Sequence, residues 1–166
     1  FHGFDDANGT NGPEAGRYEQ NMVQLVKELR SYFENRYPGQ VAPNAPFVAS
    51  TYIQGGPDRT PRALQVADAL LNISGDAGNY PEFVGNVKTH ESIEYWRDGS
   101  ESPSGDGIHH HWNAETFMLV GDGMGRAMLT LLDDTKAPFP DPMTFEIAPT
   151  AVDVATVGMV ATTASD

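Results

Sequence analysis

The chain has 166 residues, 23 acidic against 10 basic, and a formal charge of −13; such a surface repels a phosphate backbone, so nucleic acid is not an expected partner and a neutral or weakly charged substrate is. No run approaches the roughly 18 apolar residues of a membrane span, so no membrane partner is expected, and no basic-then-apolar leader opens the sequence. The absence of cysteine removes disulfides, thiolate metal ligands and a cysteine nucleophile.

FHGFDDANGTNG opens the chain without a lead-in and without an initiator Met, and TFEIAPTAVDVATVGMVATTASD stops on a strand-like stretch. Both ends are therefore expected to be interior to a longer protein. After a loop over Asp5–Gly16, residues Tyr18, Met22, Leu25, Val26, Leu29, Tyr32 and Phe33 recur at spacings of three and four. That spacing predicts one apolar stripe on a long helix, with Glu19, Lys27, Glu28 and Arg30 on the wet face and Pro38–Gly39 as its stop. Pro46–Tyr52 is short, apolar and β-branched, as a buried parallel strand requires, and Ile53–Arg59 is a glycine-bearing loop. Thr60–Pro61 reads as a helix cap followed by proline at the first helical position, with Leu64, Ala67, Leu70 and Leu71 on the inner face. A second strand is predicted over Phe83–Thr89. Asn113 then caps a helix in which Phe117, Val120, Met124, Met128 and Leu131 point one way, while Gly121, Gly123 and Gly125 permit close packing.

Helix, strand, helix, strand, loop, helix is an α/β order with a parallel sheet. Two parallel strands leave an apolar edge unpaired, so the sheet is expected to be incomplete at the N-terminus, its other strands coming from an upstream segment or a partner chain. Beyond Lys136 the run APFPDPM reads as a proline-rich linker, and Thr144–Ile147 and Val157–Thr162 as the first strands of an all-β, β-sandwich-like module. The expected division is thus 1–136 and 137–166.

GDGIHHHWN, residues 105 to 113, concentrates three of the five histidines. An aspartate three residues before a histidine on a tight loop can fold back to accept the Nδ1–H, leaving Nε2 as a general base. The same stretch is open to two other readings. His109 and His111, one residue apart, could share a metal ion with Asp106, His90 or His2, although no spaced ligand motif accompanies them; and a solvated polar turn needs no function at all. HGFDDA (His2–Ala7) sets Gly-x-Asp-Asp at the expected end of a strand, which taken alone is a glycine turn with surface acids. Trp96, Trp112 and Tyr95 lie near the histidine loop and are candidates to stack on a sugar ring or to close the edge of a core.

Taken together, Gly3-Phe4-Asp5-Asp6 and Asp106-Gly107-Ile108-His109 resemble the middle and late blocks of the SGNH (GDSL-like) hydrolase superfamily, in its sialate O-acetylesterase and carbohydrate acetylesterase branch. YEQNMVQLVKELR, APFV and NAETFMLVGDGMGRAM are similar to that branch as well, so the likeness covers about residues 1–132. It implies a three-layer, flavodoxin-like α/β fold and a serine esterase acting on O-acyl, above all O-acetyl, esters of carbohydrate, outside the cytoplasm (extracellular or periplasmic), with no metal or organic cofactor. It gives His109 the role of general base, Asp106 that of orienting it, and places Gly3 and Asp5 at the oxyanion hole. Trp96 and Trp112 would bind substrate. The sequence departs from the pattern twice. Asp5 stands where the family has an asparagine donor, and an ionised carboxylate cannot donate to an oxyanion; the serine block is not in this sequence, and Ser102 and Ser104 are expected in a surface loop. A non-catalytic carbohydrate-binding or structural domain that retains the fold is the alternative these departures permit.

Overall fold

A computed structural model of the chain describes residues 3–8, 13–106, 109–132, 145–153 and 156–161. Its longest element, helix α2 (Glu14–Arg36), buries Ala15, Tyr18, Met22, Val23 and Val26, one stripe at helical spacing. The predicted stripe continues further along the sequence than burial does. Leu29, Tyr32 and Phe33 are 39%, 60% and 42% exposed, because the helix they belong to outruns its neighbour. At 1.5 Å per residue, 23 residues of α2 reach about 35 Å, whereas the 12 of helix α3 (Pro61–Asn72) cover about 18 Å. Arg30, expected on the wet face, turns inward instead: its Nη2 donates to the Ala45 carbonyl at 2.6 Å and to Asn86 Oδ1 at 2.8 Å. One guanidinium thereby ties α2 to the segments that lead into both parallel strands.

Helix α3 starts as its cap chemistry requires. Thr60 is extended and its Oγ1 accepts from Ala63 N at 3.2 Å, and Pro61 occupies the first turn. Its buried residues are Ala63, Val66, Ala67, Ala69 and Leu70; Leu64, expected on that face, is 41% exposed. Small residues at the contact let α3 approach α2 closely, and Val66, Leu70 and Ile73 join Tyr18, Met22, Val26, Phe83 and Val87 in one core.

Strands β1 (Phe47–Ser50) and β2 (Val87–His90) pair in parallel, Phe47 opposite Val87 and Ser50 opposite His90, with α3 between them in the chain. The α/β class and the parallel pairing follow the sequence expectation. Both strands are shorter than expected, and Phe83 lies in a 3-10 turn begun by Pro81. The reversal at Gly85 (φ +72) separates that turn from β2, and a left-handed residue cannot continue a strand.

Ahead of α2, the expected loop contains a short helix, α1 (Phe4–Asn8), with Gly3 at φ +63 just before it. Helix α4 (Ala114–Leu132) is capped by Asn113, whose Oδ1 accepts from Thr116 N at 3.1 Å. Thr116, Gly123 and Ala127 are its buried line. Gly123 is the glycine that close packing requires: a Cβ there would stand 2.2 Å from His90 Nε2, whereas Gly121 and Gly125 face open space. Strands β3 (Phe145–Asp153) and β4 (Thr156–Ala161) form a separate antiparallel pair. His2 and the whole of the proline-rich linker fall outside the described residues. No described helix is long and apolar enough to cross a membrane.

Candidate functional site

The chain leaves β1 at Ser50 and runs directly into a cleft of about 300 Å³, lined by Tyr52, Gln54, Gly55, Asp58, Arg59 and Thr60 and closed by Asn8, Ala63, Trp96 and His111. It therefore lies at the carboxyl end of a parallel strand, where α/β proteins assemble ligands from loops. Two left-handed glycines make the turn, Gly55 at φ +92 and Gly56 at φ +61. Gly56 also admits the indole of Trp96, since a Cβ on it would sit 2.5 Å from Trp96 Cδ1.

The floor is polar and tied together. Asn8 Nδ2 donates to Tyr52 Oη at 2.9 Å, and Arg59 Nη1 donates to the Tyr52 carbonyl. Burial pushes the Tyr52 phenol above its usual range, the Asn8 hydrogen bond and the Arg59 charge acting against it. At neutral pH the phenol is protonated and remains a potential donor. Arg59 Nε is buried without a partner among the described residues. Thr60 Oγ1 is engaged in capping α3.

The wall comes from the histidine loop. His109, His110, His111 and Trp112 all have positive φ, from 47° to 60°, a conformation that costs an L-residue about 1–2 kcal/mol. In this left-handed turn the three imidazoles diverge. His111 is buried and stands edge-on to Trp96 with ring centroids 4.9 Å apart. His110 is edge-on to Phe117 at 5.0 Å, and His109 is exposed and edge-on to Trp112 at 5.0 Å. Asp98 lies close enough for the His111 charge to act on it; its carboxyl is held below the usual range first by the Ser100 backbone N–H, then by the Ser100 hydroxyl, and in smaller part by His111.

The sequence-nominated residues divide accordingly. The D-x-x-H spacing pairs Asp106 with His109, but the hydrogen bond Asp106 Oδ2 accepts comes from Trp112 Nε1 at 3.0 Å. The left-handed turn brings the residue six positions on, not three, over the carboxylate. Trp96 lines the cleft while Trp112 is 55% exposed outside it. Gly3 is a packing glycine, where a Cβ would meet Val66 Cγ1 at 2.8 Å and Tyr18 at 2.9 Å; Asp5 is exposed, and neither lines the cleft. What α1 contributes is Asn8. Ser102 Oγ accepts from Asn113 and Ser104 Oγ from the Asp106 N–H, so both serve the loop. Among the described residues, no group of three or more His, Asp and Glu converges as a metal site. Asn8, Tyr52 and Arg59 escaped sequence reasoning, although Tyr52 and Arg59 bracket the glycine-bearing loop that follows the first apolar strand, and the sequence singles out His111 only as a candidate metal ligand.

No family model, curated protein or solved structure matches the chain.

Proposed function

We propose that this chain carries the histidine-bearing part of an SGNH-type serine esterase, hydrolysing O-acyl, principally O-acetyl, esters on carbohydrate, with its two parallel strands belonging to a three-layer flavodoxin-like sheet and β3–β4 opening a β-sandwich-like module. The observation that carries this reading is that one cleft is lined jointly by Asn8, which directly follows the HGFDDA block, and by Trp96 and His111, which flank the late Asp106–His109 block. In such a reaction the imidazole takes the serine proton and returns it to the leaving alcohol, while donors around the cleft receive the oxyanion. Asn8 Nδ2, the Tyr52 phenol and Arg59 are groups of that donor chemistry. The serine comes from sequence outside these 166 residues, and no metal or organic cofactor is needed.

The base belongs to the run His109–His111. Its resemblance to the late block gives the role to His109, with Asp106 orienting it once substrate is bound; position in the cleft favours His111, beside Asp98. Activity toward an acetyl ester, measured on a chain extended upstream to include a serine block, separates the two. His109→Ala is expected to lower kcat by on the order of 10³-fold on the first assignment and His111→Ala on the second. Full activity with all three histidines replaced would overturn the esterase reading. A carbohydrate-binding domain without catalysis is the second reading, supported by Trp96 on the cleft wall; it predicts sugar binding, lost on Trp96→Ala, with no turnover in any extended chain.

A further inference from the structure

The histidine segment begins and ends on one side chain. Asn113 is buried, and its amide faces two ways. Oδ1 accepts from Thr116 N at 3.1 Å, the cap of α4, and Nδ2 donates to the Glu101 carbonyl at 3.3 Å and to Ser102 Oγ at 3.1 Å. The assignment of N and O is fixed by chemistry, since a backbone N–H needs an acceptor and a carbonyl needs a donor. A second bond crosses the segment further in, from Ser104 N to the His111 carbonyl at 3.1 Å. Ser102 and Asn113 are thus clasped together, and the turn His109–Trp112 just before Asn113 holds four consecutive left-handed residues that isolated chain would not keep.

We infer that Asn113 is a positioning residue: it clasps the base of the histidine loop against the first turn of α4 and so holds His111 on the cleft. The inference rests on the esterase reading only for its catalytic consequence. An aspartate at this position separates the clasp from the cap, because a carboxylate accepts from Thr116 N as well as the amide does but has nothing to donate to Glu101 or Ser102.

Amide exchange followed residue by residue on the folded chain tests it. In Asn113→Asp the Ser104 amide is expected to exchange on the order of 10-fold faster, with the Thr116 amide and thermal stability near wild type; Asn113→Ala is expected to release both amides. Ser102→Ala, which removes one of the two acceptors, is expected to lie between wild type and Asn113→Asp, and it decides the matter should the aspartate variant not fold. Unchanged Ser104 protection in the variants that fold overturns the clasp. In the extended, active chain Asn113→Asp is expected to lower kcat at least tenfold with KM little changed, and an unchanged kcat overturns the positioning role. Accelerated Ser104 exchange together with no turnover in the extended wild-type chain would sink the esterase reading and leave the clasp standing.

Discussion

His90 shows how a single side chain is shaped by its neighbours. Its ring lies against the bare Cα of Gly123, with Nε2 3.2 Å from Tyr95 Oη. Burial lowers its pKa, while the charges of Glu94, Glu91 and Asp122 act in the opposite direction and do not prevail. Between the lowered value and the ordinary one near 6.5, the unfolded chain binds more protons than the folded one. Stability therefore rises with pH through that interval, is fully present above it, and is lost as pH falls. The melting temperature is expected to drop on acidification below about pH 6.5, and His90→Gln is expected to flatten that dependence; an identical slope in the variant would contradict the account. Gly56 makes a second case. Gly56→Ala forces a Cβ into the Trp96 indole at a left-handed position, and is expected to cost about 1–3 kcal/mol and to shift the tryptophan emission. A variant with wild-type stability and spectrum would mean that Trp96 does not pack there.

At the scale of elements, α3 and α2 contribute to the core in equal measure. Leu70 is fully buried between α2 and the sheet, and Leu70→Ala is expected to destabilise by about 2–5 kcal/mol, read by denaturant unfolding; a loss below 1 kcal/mol would mean the two helices are not packed through it. These elements were legible because their signals are local. A threonine cap and proline announce α3, apolar spacing announces α2, and Asn113 announces α4. What resisted reading depends on partners distant in sequence. Whether Tyr32 and Phe33 are covered depends on how far α3 reaches, and the ends of β2 depend on the reversal at Gly85. At the cleft, the sequence pointed to the histidine loop and to Trp96, and its spacing did not give the geometry. D-x-x-H spacing presumes an ordinary backbone, and four successive left-handed residues rotate Trp112, rather than His109, onto Asp106. No composition or periodicity signals that turn. Asn8 and Tyr52 meet across 44 positions, a distance over which a single sequence offers no pattern.

For the molecule as a whole, the cleft is where separate parts of the chain converge, α1 from one end and the loop before α4 from the other, with the β1–α3 loop between them. The chain carries a net charge of −13, which disfavours the approach of a polyanion far more than that of a neutral molecule. The central proposal is that this cleft belongs to an acyl-transfer site whose nucleophile lies outside these 166 residues. Hydrolysis of an activated acetyl ester and of an acetylated sugar, compared between the 166-residue chain and a chain extended upstream through a serine block, tests it most directly. The account predicts near inertness in the first and turnover in the second, abolished when His109, His110 and His111 are replaced together. Equal hydrolysis by both chains, or turnover that survives loss of all three histidines, would contradict it.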